Sequence, residues 1–324
     1  MNETAAISPA FEFDDSLTGA PPEYLTPAVP PSLSEAQAYC KELAEAHYEN
    51  FHVATWFLPR HLRPHFQTIY AYSRIADDLG DEIDDPALSI KLLNAWGFML
   101  QQAYDAPQRS RHPVFVALAE TIRSCNLPTQ PFLDLLTAFR IDQTVVRYET
   151  LEQFIEYSRC SANPVGHLVL YACGYDDPEL RALSDKVCTG LQLANMWQDV
   201  GNDFDRGRVY LPAVEMRRLG ITTDQIAMRR TTPEFRILLA SLVDRTRAML
   251  VEGSAICDRV DAELRVTLQL FVQGGHAILD AIECIDYDVL RHRPVVTKMK
   301  KASLLLNALI GKTAASLFSK ERIA

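Results

Sequence analysis

The chain shows the apolar periodicity of an α-helix over most of its length. Apolar residues recur at intervals of three and four, which places them on one face of each helix. Prolines and glycines separate the periodic segments, and neither the alternation typical of strands nor a repeat of about 20–50 residues is present. The pattern predicts helices over 66–79, 88–104, 114–124, 131–146, 151–173, 179–200, 235–251, 261–285 and 300–318. We therefore expect a single-domain all-α fold with buried central helices.

Residues 1–33 differ from the rest of the chain, since they are rich in proline and acidic residues. Such a composition is typical of segments that bury too little apolar surface to fold. We interpret residues 1–33 as a disordered or loosely packed N-terminal arm and residues 34–324 as one helical domain. Ser34 is the expected N-cap of its first helix.

Composition and charge exclude several classes of protein. The chain has 324 residues, 48% of them hydrophobic, which is enough for a sizeable core. The net charge is −10 and no basic stripe carries interleaved aromatic residues, so we expect no nucleic-acid partner. No run of about 18 apolar residues predicts a membrane-spanning helix. The seven cysteines, odd in number and without a CxxC pair, fit a reduced cytosolic compartment.

The first candidate site lies in IYAYSRIADDLGDE, residues 69–82. Asp77 and Asp81 are four positions apart and share one face of the predicted helix, with Asp78 beside them. An apolar run precedes them, so this face lies at the end of a buried helix. Taken alone, such a cluster is more often a solvated helix end that leads into an acidic loop.

The second candidate site lies in LQLANMWQDVGNDFDRGRVYLP, residues 191–212. Asn195, Asp199 and Asp203 follow one another at intervals of four and form a polar stripe on an otherwise apolar helix. A buried stripe of carboxylates is costly unless a cation compensates it.

Together the two clusters indicate a magnesium site. Magnesium usually takes one or two carboxylates and completes its coordination with water and phosphate oxygens. Two such stripes that face each other are expected to hold two or three magnesium ions around a diphosphate. The metal ions would then neutralise the leaving group and promote its ionisation.

At these residues the sequence resembles the squalene and phytoene synthase family, from about Ser34 to Lys301. The resemblance implies a single-domain isoprenoid synthase fold, in which two aspartate-bearing helices flank a central cavity. It also implies an isoprenoid diphosphate substrate and head-to-head C30 or C40 chemistry.

The family motifs carry over to individual residues of this chain. The resemblance implies six metal ligands, namely Asp77, Asp78, Asp81, Asn195, Asp199 and Asp203. Tyr70, Arg74, Arg208 and Tyr210 match catalytic positions that flank the two motifs. Arg74 and Arg208, with Gln192 one turn before the second motif, are implied to bind substrate. Guanidinium groups suit phosphate oxygens because they bind them bidentately, and the alternative for both arginines is an ion pair with the neighbouring aspartates.

Two segments depart from the condensing members of the family and resemble its bacterial hydroxysqualene synthase branch. The first is HYENF, where condensing members usually carry a serine-rich stretch. It implies substrate contacts by His47, Tyr48, Asn50 and Phe51. For His47 the alternative is an ordinary core or boundary residue.

The second departure is SANPVG, residues 161–166, which follows Tyr157. Pro164 removes a backbone donor and disrupts the helix one turn earlier. Tyr157 and Asn163 are then expected to present catalytic polar groups to a cavity that otherwise excludes water, so that one water is placed for reaction. The alternative for Asn163 and Pro164 is a purely structural kink.

The hydroxysqualene branch ionises presqualene diphosphate, rearranges the resulting cation and traps it with water, in hopanoid biosynthesis. The resemblance thus implies no use of NADPH, and the chain has no GxGxxG fingerprint. It also implies a bacterial cytoplasmic enzyme that is functionally coupled to other enzymes of the squalene pathway. Two alternatives stay open: a condensing synthase that joins two allylic diphosphates into presqualene diphosphate, squalene or phytoene, and a non-catalytic relative that binds lipid or assists assembly.

The C-terminal part carries further signals. Residues 287–298 resemble the basic C-terminal turn of the family and are expected to pack over the site. Asp142 and Gln143 are expected either near the cavity or in surface pairs. The last predicted helix, 300–318, is apolar with flanking lysines. It packs in the core or against a second copy, or it attaches the protein peripherally to the inner membrane face.

Overall fold

The computed structural model describes residues 17–46, 58–300, 302–304 and 306, and within them the protein is built from α-helices. These are α1 (Leu33–Ala46), α2 (Arg63–Asp81), α3 (Pro86–Asp105), α4 (Pro113–Cys125), α5 (Gln130–Asp142), α6 (Leu151–Ser161), α7 (Asn163–Ala172), α8 (Pro178–Asp205), α9 (Ala213–Arg218), α10 (Thr223–Ala227), α11 (Pro233–Gly253) and α12 (Ala262–Cys284). Short 3₁₀ turns cover Pro22–Tyr24, Pro107–Arg109 and Ser254–Asp258. The described residues form no strand, so the all-α prediction is confirmed.

Polar caps set the starts of the helices. At α8 the side chain of Asp177 accepts a hydrogen bond from the backbone of Glu179, which satisfies an N–H that the helix itself leaves without a partner. At α1 a reciprocal pair forms between Ser32 and Glu35, each side chain accepting from the backbone of the other. This capping box begins the helix earlier than the predicted cap at Ser34.

The helices pack around two adjoining hydrophobic clusters. Tyr72, Trp96 and Phe115 are fully buried in the first cluster, which lies mainly among α1 to α5. Phe154 and Trp197 are fully buried in the second, which lies among α6, α8, α11 and α12. Helix α2 belongs to the first cluster, whereas the C-terminal half of α8 belongs to the second. The ends of these two helices therefore lie where the clusters adjoin.

The helix predicted over 151–173 is divided in two. Helix α6 ends at Ser161, α7 begins at Asn163, and Ala162 between them, with φ −109°, belongs to neither helix. The break follows from Pro164 in the first turn of α7, since proline lacks the N–H that would continue the ladder. Gly166 then lets α7 approach α8 closely.

Residues 17–32 pack against the helices. Leu17 and Tyr24 are 2% and 4% exposed and belong to the first hydrophobic cluster. The carbonyl oxygen of Tyr24 lies 3.2 Å from Nε2 of the buried His112. This stretch differs from the loosely packed arm that its composition predicted, because a few anchored apolar side chains suffice to hold a proline-rich segment. The domain boundary itself stays a prediction.

At the C-terminal end of the described part of the chain, residues 298–300, 302–304 and 306 are helical. In the described parts of the chain, no helix is both long and apolar enough to cross a membrane.

Candidate active site

The first aspartate cluster lies at the C-terminal end of α2. Ile75, Ala76 and Leu79 are fully buried against the first hydrophobic cluster and fix the orientation of the helix. The side chains of Asp77 and Asp81 remain 45% and 37% exposed. As the spacing predicts, these two carboxylates are presented on the polar side of the helix.

Asp78 points into the protein. It is 1% exposed, forms an ion pair with Arg74, and accepts a hydrogen bond of 2.5 Å from the hydroxyl of Tyr24. Neighbouring positions on a helix are about 100° apart, so the spacing that brings Asp77 and Asp81 together turns Asp78 away from them. In this structure the carboxylate oxygens of Asp78 are engaged by Arg74 and Tyr24, and its role as a metal ligand stays a prediction.

Negative charge is crowded around Asp77. Loss of solvent, followed by the charge of Asp81, raises the pKa of Asp77 to about 7, although Arg74 opposes the shift. A carboxyl group with this pKa gains from a nearby cation, which would restore its ionised form.

The second aspartate motif lies on the last turns of α8. Trp197 and Val200 are buried and hold this part of the helix, whereas Asn195 is exposed. Loss of solvent, followed by the charge of Asp199, raises the pKa of Asp203 to about 6. The motif thus forms a second surface at which negative charge is crowded.

Arg208 brings the two motifs together. Its Nη2 lies 2.8 Å from Oδ1 of Asp81, across 127 positions of sequence. The same guanidinium lowers the pKa of Asp203. The end of α2 and the end of α8 therefore face a common region. For Arg208, as for Arg74, the structure shows the ion pair with neighbouring aspartates that the sequence left as an alternative.

A second arginine reaches the site from the C-terminal segment. Nε and Nη2 of Arg293 lie 2.5 and 2.9 Å from the two carboxylate oxygens of Asp199. Beside it, the amide of Gln198 donates to the carbonyl of Pro294 at 2.6 Å. The prediction that residues 287–298 pack over the site is confirmed. The resemblance identified only a basic turn, however, and did not single out Arg293.

Asp142 adds a third carboxylate, at the end of α5. Its Oδ2 accepts a hydrogen bond of 2.7 Å from Tyr157, while its buried Oδ1 has no hydrogen-bond partner among the described residues. Loss of solvent raises the pKa of Asp142 to about 6, against the opposing effects of Tyr157 and Arg208. Asp142 is thus coupled to Tyr157 and Arg208, and its position near a cavity stays a prediction. The side-chain amide of Gln143 donates to the carbonyl of Gly80 at 2.8 Å.

Aromatic residues surround Asp142. The rings of Tyr148 and Tyr157 are 5.6 Å apart and those of Tyr148 and Tyr210 are 6.2 Å apart. The buried hydroxyl of Tyr148 has no hydrogen-bond partner among the described residues. Tyr157 and Tyr210 were predicted for the site. Tyr148 was missed, because it lies in the loop between α5 and α6 and matches no motif.

Three other predicted site residues, Tyr70, Gln192 and Asn163, lie on α2, α8 and α7. Tyr70 is half-buried, one turn before Arg74 on α2. Gln192 and Ser161 are joined by a hydrogen bond of 2.8 Å between α8 and the end of α6. Asn163 is 4% exposed and its Oδ1 accepts a hydrogen bond of 3.0 Å from Thr189.

Asn163 and Tyr157 therefore have different partners, Thr189 on α8 and Asp142 on α5. The other predicted substrate contacts, His47, Tyr48, Asn50 and Phe51, lie outside the described residues.

Oxygen ligands in this region fit magnesium. In the described part of the chain, no three His, Cys, Asp or Glu side chains come close enough to hold a metal ion by themselves. Magnesium does not need such a cluster, since it retains water and uses substrate phosphate for the rest of its coordination. The raised pKa values of Asp77 and Asp203 mark two carboxyl groups that a divalent cation would stabilise in the charged form.

A cavity of about 450 Å³ lies away from this region. Its lining includes Leu62 and His65 near the start of α2, Cys125 at the end of α4 and Cys173 after α7, and none of the described site residues. The cavity between the two motif helices therefore stays a prediction.

Comparisons with known proteins agree with this architecture. The hydroxysqualene synthase of Rhodopseudomonas palustris is 33% identical over 232 residues, 71% of this chain and 77% of that protein. The chloroplastic phytoene synthase of Daucus carota is 29% identical over 276 residues, 83% of this chain and 69% of that protein. A family model described as squalene/phytoene synthase matches residues 44–300.

Solved structures show the same fold. The squalene synthase HpnC from Alicyclobacillus acidocaldarius superposes with a TM-score of 0.75 and 42% identity, over 79% of this chain and 95% of that one. A dehydrosqualene synthase in complex with a ligand superposes with a TM-score of 0.77 over 87% and 98% of the two chains, at 23% identity. The protein thus has the isoprenoid synthase fold, and the family model spans both aspartate motifs and the arginines that join and cover them. The chain belongs to the squalene/phytoene synthase family.

Proposed function

We propose that the protein is a hydroxysqualene synthase, which converts presqualene diphosphate and water into hydroxysqualene and diphosphate. The observation that carries the proposal is the 33% identity to the hydroxysqualene synthase of Rhodopseudomonas palustris, joined by 32% identity to that of Sinorhizobium fredii over 74% of this chain. The SANPVG segment, residues 161–166, supports the same branch. Membership of the family already makes the protein an enzyme that processes isoprenoid diphosphates.

Magnesium is the metal that the site residues fit best. We assign its binding to Asp77 and Asp81 on α2 and to Asn195, Asp199 and Asp203 on α8. Two or three ions are expected, each sharing its coordination with water and diphosphate oxygens. When bound, they supply charge neutralisation of the diphosphate leaving group.

The arginines hold the diphosphate. Arg208 and Arg293 each present two guanidinium nitrogens to a carboxylate of the site, Asp81 and Asp199 respectively. The same planar geometry suits phosphate oxygens, so these arginines can exchange a carboxylate for substrate. Arg74 acts beside them from α2. Binding to all three orients the C–O bond of the substrate for ionisation.

Tyrosines line the region in which the carbocation rearranges. Tyr148, Tyr157 and Tyr210 present ring faces and keep their protons, because burial raises the pKa of each. Tyr70 lies on the same side of α2 as Arg74, one turn earlier. Aromatic faces stabilise cations without trapping them, which protects the rearranging cation.

Capture by water needs a proton acceptor. Asp142 suits this role because Tyr157 fixes one of its oxygens and leaves Oδ1 free to accept. A water held at Oδ1 would form the new C–O bond to the cation while Asp142 takes its proton. Asn163 accepts a hydrogen bond from Thr189, so it acts indirectly, by holding α7 against α8. The overall conversion transfers no hydride, so no NADPH is expected.

A condensing synthase is the second candidate. The similarity to the phytoene synthase of Daucus carota extends over more of the chain than that to the hydroxysqualene synthases. Such an enzyme joins two allylic diphosphates and would use the same magnesium and arginine groups. A non-catalytic relative is disfavoured, because the ligands assigned above are all present in the chain.

Cellular location follows from the reaction rather than from the fold. We propose a cytoplasmic bacterial enzyme that delivers its C30 product to the inner membrane face, coupled to other enzymes of the squalene pathway. The apolar segment 300–318 is the expected peripheral contact, although most of it lies outside the described residues. Deletion of residues after 302 should reduce sedimentation with lipid vesicles, and unchanged sedimentation would contradict this role.

Substrate choice tests the function directly. Purified protein with Mg²⁺ is incubated with presqualene diphosphate and, separately, with farnesyl diphosphate, and the lipids are identified by mass spectrometry. Hydroxysqualene from the first substrate and no product from the second is the expected result. Consumption of farnesyl diphosphate would instead establish a condensing synthase. An Asp142→Asn variant should lose hydroxysqualene formation while it still releases diphosphate.

A further inference from the structure

Arg74 lies among three carboxylates near the end of α2. Its Nη1 is 3.5 Å from Asp77 and its Nη2 is 3.4 Å from Glu82, both exposed acids. Its Nε is 3.0 Å from Asp78, whose side chain is only 2% exposed. Opposite charges attract more strongly away from water, so Asp78 sets the orientation of the guanidinium.

Asp78 in turn depends on a residue from outside α2. The hydroxyl of Tyr24 donates a hydrogen bond of 2.5 Å to Oδ2 of Asp78, across 54 positions of sequence. A buried carboxylate is stable only when its oxygens are satisfied. The hydroxyl of Tyr24 complements the single guanidinium that Asp78 contacts.

Tyr24 is held in this position by burial and by contacts of the backbone around it. It is 4% exposed, and its carbonyl oxygen lies 3.2 Å from Nε2 of His112. The preceding carbonyl, that of Glu23, accepts a hydrogen bond of 2.9 Å from Tyr39 on α1. The match to the family model begins only at residue 44, so this support comes from a segment that precedes the matched region.

We propose that Tyr24 is a positioning residue for diphosphate binding, acting through Asp78 on Arg74. The hydroxyl fixes Asp78, and Asp78 fixes the Nε and Nη2 edge of the guanidinium. Nη1 is thereby directed toward Asp77 and the site. Without the hydroxyl, Arg74 is free to turn away from the site toward the exposed Glu82, which weakens its grip on phosphate.

This inference rests on the diphosphate chemistry of the proposed function and not on which product is formed. The variant Tyr24→Phe removes the hydroxyl and keeps the ring. We expect its KM for presqualene diphosphate, and the inhibition constant of inorganic diphosphate in the presence of Mg²⁺, to rise about three- to tenfold. The value of kcat should change less, because the lost contact acts on binding.

Tyr39→Phe is the matched control. It removes a hydrogen bond that holds the same N-terminal segment but does not touch Asp78. If Tyr39→Phe raises both constants as much as Tyr24→Phe does, the effect belongs to the packing of the segment and the positioning role is refuted. Unchanged constants in Tyr24→Phe would refute it as well.

A double-mutant cycle separates positioning from general stability. In an Arg74→Lys background, Tyr24→Phe should add less than about a twofold effect, because the hydroxyl acts through the guanidinium. Full additivity would overturn the inference. Calorimetric binding of inorganic diphosphate with Mg²⁺ gives the same comparison without turnover. Failure of the wild type on both isoprenoid substrates would therefore refute the proposed function and leave the role of Tyr24 decidable.

Discussion

Replacing Gly166 by alanine should destabilise the protein, because α7 and α8 meet at this residue. A Cβ added here would lie 2.3 Å from Oγ of Ser184 and 2.6 Å from Sγ of Cys188. Relief requires a displacement of about 1 Å, since carbon contacts are favourable at about 3.5–4.0 Å. Overpacking of this kind costs about 1–3 kcal/mol, against a gain of about 0.5–1 kcal/mol from replacing a helical glycine. We expect a net loss of about 1–2 kcal/mol.

Gly274 on α12 is the matched control, since a Cβ there meets no atom within 4 Å. Gly274→Ala should raise the free energy of unfolding by about 0.5–1 kcal/mol. Urea denaturation measures both changes, provided that the dependence of the free energy of unfolding on urea concentration is the same in all variants. Ser184→Ala, combined with Gly166→Ala, removes the nearer contact and should recover part of the loss. A Gly166→Ala protein as stable as the wild type would show that Oγ of Ser184 and Sγ of Cys188 turn away without cost, and would refute the expected overpacking.

Two further predictions concern a buried base and a surface cation. Burial lowers the pKa of His112 to about 4, and its Nδ1 already accepts the N–H of Val114. The unfolded chain therefore binds an additional proton as the pH falls from about 6.5 to 4, and the wild type should lose up to about 3 kcal/mol relative to His112→Asn. Urea denaturation of both proteins at several pH values in this range measures the change. If the free energy of unfolding has the same pH dependence in the two proteins, the prediction is contradicted. Arg293→Gln removes the bidentate partner of Asp199. It should lower kcat/KM by roughly ten- to hundredfold, which corresponds to about 1.5–3 kcal/mol for a lost hydrogen bond to a charged group. A change of less than twofold in steady-state kinetics would exclude a role in binding substrate.

The sequence predicts the architecture well because helical periodicity is a local property. Breaks at proline, such as the one before Pro164, are visible for the same reason. The pairing of Asp77 with Asp81 also follows from local spacing. Arg208 was identified through the family motif, and the structure adds that it bridges to Asp81.

Contacts between distant segments could not be predicted in this way. The spacing of DDLGD does not show that Asp78 is turned inward, since that depends on which face of α2 the first hydrophobic cluster covers. Tyr24 lies in a proline-rich segment whose composition predicts disorder, and Arg293 is one of several basic residues in its turn. Each acquires its role from tertiary packing, which carries no signature in the surrounding sequence.

Helices α2 and α8 both bring their C-terminal ends to the site. The aligned peptide dipoles of a helix place partial negative charge at that end. Neither helix has a basic residue in its last turn, although lysine or arginine is usually preferred there. The backbone thus adds to the negative potential of the aspartates, and the cations that offset it come from other turns or segments, as Arg74, Arg208 and Arg293 do. Attraction for divalent cations is accordingly a property of the fold as well as of the side chains, and millimolar Mg²⁺ alone should raise the thermal midpoint.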